Sequence, residues 1–159
     1  MELTNQQKAT LKTYIQSQPD LASMFVDGNL SGVADALNAS ATPAFWVYRT
    51  DIPSSEIGKT VNYVAVAAMT TANLQRISDF LRLNASTFNG RDDVKTFLSD
   101  TFSGTLGGQG QATRDALDLM LRRQVSRIER VFATGTGSTV APGTAVVVGL
   151  VSYVDLIGL

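Results

Sequence analysis

The chain predicts an all-α fold: a helical bundle over residues 1–133, followed by an extended, β-prone C-terminal arm over residues 134–159. Three observations predict it. Helical periodicity with cap signals recurs along the first 133 residues. The last 26 residues carry one charged side chain, Asp155, and are broken by Gly135, Gly137, Pro142, Gly143, Gly149 and Gly158. That same stretch is rich in β-formers, namely Val146, Val147, Val148, Val151, Tyr153, Val154 and Ile157. A helical domain offers no evident sheet for such an arm to join, so the expected destination is a partner surface.

The elements follow in order. Thr4 with Gln7 three residues on makes a capping box, and Leu11, Tyr14 and Ile15 share a face behind it. Pro19 sits in the first turn of a second helix carrying Leu21, Met24 and Phe25, stopped by Gly28. Asn29 caps a third, with Leu30, Val33, Ala34 and Leu37 at helical spacing. From Ala39 to Ile52 the pattern breaks, and Pro43 with Phe45, Trp46, Val47 and Tyr48 predicts an extended piece laid over the helices. A short helix is expected after Asp51 and is ended by Gly58. Thr70 or Thr71 caps a helix bearing Leu74, Ile77, Phe80 and Leu81. Asn89 is expected to cap the next, with Val94, Phe97, Leu98 and Phe102 inward. The glycines between Gly104 and Gly110 predict a mobile loop.

The last predicted helix runs from about Ala112 to Ala133. At 100° per residue, Leu117, Leu121, Val125, Ile128, Val131 and Phe132 share one face and Arg123, Arg127 and Arg130 cluster opposite. The simplest account is a core helix with a solvated basic back. The sharper one is that the Arg row meets carboxylates of a neighbouring subunit through planar forks. Nucleic acid is a weaker reading, because five Arg against three acidic residues leave only +2 over residues 111–133.

Composition narrows the chemistry. A charged fraction of 17% is below the usual quarter, which suits a surface partly covered by other protein. The formal charge of -1 argues against a general polyanion binder. With no Cys and no His, thiol nucleophiles, Cys/His zinc sites and the commonest general base are excluded. No Lys falls in an S-x-x-K spacing, so no catalytic role is assigned. Asp92 and Asp93 fall in a predicted first turn, where they complement the helix dipole. Gly104–Gly110 lacks the G-K-[ST] ending of a phosphate loop and follows no strand. No cofactor or metal is expected. The N-terminus has no basic-then-apolar signal pattern and no run of about 20 apolar residues exists, so the expectation is a protein made in the cytoplasm with no membrane association. Partner-binding side chains are expected in the aromatic run (Phe45, Trp46, Tyr48), the Arg row (Arg123, Arg127, Arg130) and the arm (Val147, Leu150, Tyr153, Leu156).

Val131-Phe132-Ala133-Thr134-Gly135-Thr136-Gly137-Ser138, then Pro142, then Leu150-Val151-Ser152-Tyr153-Val154-Asp155, resembles the C-terminal signature of small neck proteins of tailed bacteriophages. Phe45-Trp46-Val47-Tyr48-Arg49-Thr50 and the Thr70-Thr71 helix start are similar to the same group, so the likeness spans roughly residues 45–155. The resemblance implies a virion structural protein, a head–tail connector or adaptor that forms a homo-oligomeric ring between portal protein and tail. It implies portal and neighbouring neck or tail proteins as partners, location in the virion neck, and no specific nucleic-acid binding, although DNA passes through such a ring. A tail-completion or tail-terminator component is the alternative; a hydrolase using Ser or Asp without His is the reading from another class.

Overall fold

The computed structural model describes residues 3–103 and 107–159. Among the described residues it is mainly helical, with 57% in ten helices and only short two-stranded sheets. The chain forms two compact units, one combining residues 1–47 with 124–159, the other made of residues 48–123 alone.

The first unit begins with α1 (Asn5–Ser17), α2 (Pro19–Val26) and α3 (Leu30–Asn38). In α1 and α3 a side chain satisfies a free main-chain N–H group at the start, whereas α2 has no side-chain cap and opens on a proline, which has no N–H to satisfy. The Thr4 hydroxyl accepts from Gln7 N (3.2 Å) and the Gln7 side chain accepts from Thr4 N (2.9 Å). Pro19 opens α2, Gly28 ends the following turn with φ +73, and the Asn29 side chain accepts from Gly32 N at the start of α3. Their apolar faces bury Leu11, Ile15, Leu21, Val33, Ala34 and Leu37 in one cluster.

The second unit contains β2 (Ile52–Pro53), α4 (Ser55–Thr60), α5 (Tyr63–Ala67), α6 (Thr71–Leu83), β3 (Thr87–Phe88), α7 (Asp92–Thr101) and α8 (Gly107–Met120); β1 (Trp46–Tyr48) and β4 (Arg122–Gln124) carry the chain from one unit to the other. Strands β2 and β3 are antiparallel, with Ile52 opposite Phe88. The core gathers Ile52, Ile57, Phe88, Leu98, Phe102 and Leu117, among others. Phe80 stacks on Phe97 and meets Phe88 edge-on, at centroid separations of 5.1 and 5.3 Å.

Several expectations are corrected. Gly58 does not end its helix, which runs on to Thr60. Asn89 does not cap α7, which starts from Arg91; its side chain instead accepts from Asp51 N, where the chain turns with φ 55. Of the expected glycine loop, Gly107, Gly108 and Gly110 lie in α8, and residues 104–106 fall outside the described residues.

The helix expected over 112–133 is three elements: α8, β4 and α9 (Arg127–Phe132). Its interruption has a local cause. The Ser126 hydroxyl accepts from Glu129 N and the Glu129 carboxylate accepts from Ser126 N, so a capping box begins a new helix inside the predicted one. The main chain just before it is used elsewhere, with Val125 N donating to Phe45 O and Val125 O accepting from Ala41 N.

The C-terminal segment is also not the detached arm that its composition suggests. Val151 (2% exposed) and Leu156 (1%) belong to the cluster of α1, α2, α3 and α9. A short helix, α10 (Tyr153–Leu156), closes the chain, where the sequence predicts only extended structure. It is self-capped, since the Asp155 carboxylate accepts from both Ser152 N (2.7 Å) and its hydroxyl (2.8 Å). Those bonds, the main-chain one first, hold the Asp155 carboxyl below its ordinary value.

Candidate interaction site

Two segments far apart in sequence form one local structure in the first unit. Trp46 N donates to Gly137 O, and Gly143 N donates to Trp46 O, each at 2.8 Å. Thr134 and Thr144 exchange both main-chain hydrogen bonds, drawing residues 134–144 into a loop closed at its base. The Phe45 ring lies against this loop. A methyl group on Gly137 would overlap the ring, and one on Gly143 would overlap the Thr134 carbonyl oxygen and meet the same ring. Gly137 also sits at φ +65, which an L side chain rarely adopts. Glycine at both places is therefore what lets the aromatic seat. From α9, Arg130 lies 6.0 Å from the Phe45 ring centroid and donates to Pro43 O (3.0 Å).

From Val140 in this loop onward the chain presents apolar side chains to solvent. Val140, Val146, Val148, Leu150, Tyr153, Val154 and Ile157 are all more than half exposed. No charged residue lies between Arg130 and Asp155. Exposed apolar side chains concentrated in one charge-poor stretch make it a candidate interaction surface.

The sequence-predicted residues divide by position. Phe45 and Trp46 are half-buried and engaged with the loop as described. Tyr48 belongs to the second unit, where its hydroxyl donates to Asp92; burial, then that carboxylate, push the phenol pKa up. The Arg row does not lie on one helix, because Arg123 is in β4 whereas Arg127 and Arg130 are in α9. Arg127 is committed within its own unit. It forks onto Asp20 (2.6 and 3.1 Å), donates from Nε to Tyr14 Oη (2.9 Å) and reaches Gln18 (3.3 Å). The Asp20 hydrogen bonds raise the Arg127 pKa, and the same pair lowers that of Asp20. In the C-terminal segment Val147 and Leu156 are buried, whereas Leu150 and Tyr153 are exposed.

Two residues that sequence reading passed over hold the segment in place. The Asn38 carboxamide meets both main-chain groups of Val151, donating to its O (2.7 Å) and accepting from its N (2.9 Å). Glu129, only 5% exposed, accepts from Gly149 N at 3.3 Å. Glu129 was legible as the fourth residue of Ser126-Arg127-Ile128-Glu129; Asn38, the last residue of a helix, carries no such signal.

Among the described residues, no group of three or more acidic, His or Cys side chains is arranged to hold a metal ion, and no helix is long and apolar enough to cross a membrane. No protein-family model, no curated protein and no solved structure matches this chain.

Proposed function

We propose that this chain is a structural protein of the tailed-phage neck, an adaptor that assembles into a ring joining portal to tail and turns over no substrate. The observation that carries this reading is the charge-poor C-terminal surface, where Asp155 is the one charged side chain and seven large apolar side chains from Val140 to Ile157 stand more than half exposed. Such a surface costs solubility unless another protein covers it. The resemblance to neck proteins supplies the setting. It rests on the Phe45–Thr50 and Val131–Asp155 motifs, and Phe45 and Trp46 of the first pack on the Thr134–Thr144 loop of the second. A ring requires each copy to offer two different patches whose repeated rotation closes. The exposed C-terminal face supplies one of them, and the half-buried edge of Trp46 with Arg130 is a candidate for the other.

The test mixes purified protein with assembled portal encoded in the same genome and images the product by electron microscopy. The expected outcome is a symmetric ring on the tail-proximal face of the portal, weakened by Leu150→Asp or Val148→Asp. Binding to tail-tube subunits with no binding to portal would move the protein to tail completion. Binding to neither would end the neck reading.

A further inference from the structure

Residues 145–148 join two well-held parts of the first unit and are themselves held only by packing, Val147 being buried and Ala145 lying against the cluster of Ala41, Val47 and Val125. Thr144 is bonded to Thr134 on one side, and Gly149 and Val151 are bonded to Glu129 and Asn38 on the other. Among the described residues, nothing makes a hydrogen bond with the main chain of Ala145, Val146, Val147 or Val148. Val146 and Val148 face solvent, and Val147 alone of the three valines turns inward. Gly149, at φ +118, follows directly. The next ten residues form a unit that carries its own local structure, the capped helix α10, and that seats Val151 and Leu156 among the apolar side chains of α1, α2, α3 and α9.

From this we propose that residues 150–159 are exchanged between copies of this chain, the segment of one copy occupying on the next the seat it fills in its own. This rests on the ring reading above and names the lateral contact of that ring. The occupant is a second copy because the seat is demonstrably complementary to this segment, in apolar shape and in the paired Asn38–Val151 hydrogen bonds. Exchange replaces each of those contacts by an identical one, so the two arrangements differ only in hinge conformation and in the entropy of association. Four hinge residues reach about 13 Å when extended; opening them breaks no main-chain hydrogen bond of their own, but uncovers Val147 and releases the Gly149–Glu129 bond, which the neighbouring copy's Glu129 can remake. Each copy then gives one segment and accepts one, the head-to-tail arrangement from which closed rings are built. In cis the segment has the advantage of high effective concentration, so exchange prevails where copies are held side by side, as on a portal.

The absence of cysteine makes a clean test possible. Lys8, exposed on α1, and Leu159 line one hollow beside the end of the chain. Full-length Lys8→Cys and full-length Leu159→Cys are mixed at high concentration and treated with a short thiol-specific bis-maleimide. A covalent heterodimer several-fold above the dimer from either variant alone is the expected result. A yield no greater than from the separate variants overturns exchange, provided that the doubly substituted chain links internally when dilute. The second arm adds the doubly substituted chain to portal, before and after internal cross-linking. Rings from the open chain and none from the locked chain are expected. Rings from the locked chain would overturn exchange and leave the adaptor reading standing, whereas no ring from wild-type chain would count against the adaptor reading itself.

Discussion

The two units achieve burial by different routes. The second closes a core from one continuous stretch, in which Phe88, Leu98, Phe102 and Leu117 all come from within 48–123. The first is assembled from both ends of the chain, and Asn38 reaches a main-chain partner 113 residues away. The comparison teaches where charge-poor sequence goes. In the second unit neighbouring helices complete the core, while Tyr63, Val64, Leu83 and Leu119 stay outside it on separate elements. In the first, the same C-terminal stretch both finishes a core, through Val151 and Leu156, and leaves Val146, Val148 and Leu150 outside it.

The sharpest way to break this contrast is to open one core at a time. Phe102→Ala in the second unit should cost ~3–5 kcal/mol, and Leu156→Ala in the first ~2–5 kcal/mol, since both side chains are almost wholly buried. Hydrogen exchange read by mass spectrometry should place the lost protection mainly in 48–123 for the former. For the latter it should fall in α1–α3 and α9, far from position 156 in sequence. Equal loss in both units from either substitution would erase the distinction.

Smaller effects should follow at the contacts specific to the first unit. Gly137→Ala, which pushes a methyl into the Phe45 ring at positive φ, should destabilise by ~1–3 kcal/mol in urea unfolding. Asn38→Ala leaves both main-chain groups of Val151 without their partner and should cost a similar ~1–3 kcal/mol, with faster exchange confined to residues 149–156. If Gly137→Ala is neutral, the aromatic seat is looser than its geometry implies.

The smallest effect concerns pH. Arg127 holds the Asp20 carboxyl below its ordinary 3.8, so this pair stabilises the fold above that value and its contribution fades as pH falls through the lower folded-state pKa. Because the Asp20 side chain is 55% exposed, screening keeps the pair to roughly 0.2–1 kcal/mol. Asp20→Asn should therefore be slightly less stable than the parent at pH 7, and the gap should close in acid. A gap that widened below pH 4 would contradict the assigned direction.

How legible the fold was depended on how local its causes are. Helices α1, α2 and α3 could be read because Thr4 and Asn29 act on main-chain groups three residues away and Pro19 acts on its own backbone. The 112–133 segment misled for a specific reason. Leu117, Leu121, Val125 and Ile128 are all buried and are spaced as on one helical face, yet they belong to three separate apolar clusters. Periodicity reports that residues turn inward without reporting toward what. The competing signal was the Ser126–Glu129 box. The C-terminal segment misled because Val151 and Leu156 sit in a stretch with no period, and their partners lie in α1–α3. Of the candidate site, the aromatic run and the glycine loop were each visible, but not that Gly137 and Gly143 make room for Phe45, since that fit exists only in three dimensions.

The unbonded valines of 145–148 also decide how this protein meets proteases. No Lys or Arg follows Arg130, so trypsin has nothing to cut in the final 29 residues. An elastase-type enzyme, which cuts beside small apolar side chains in exposed chain, meets the exposed Val146 and Val148 there, although Val147 between them is buried. A single nick there would not release the end of the chain, because Val151, Leu156 and the Asn38 clasp lie on the far side of the cut. The product would travel as a two-piece molecule in native conditions and fall into fragments only when denatured.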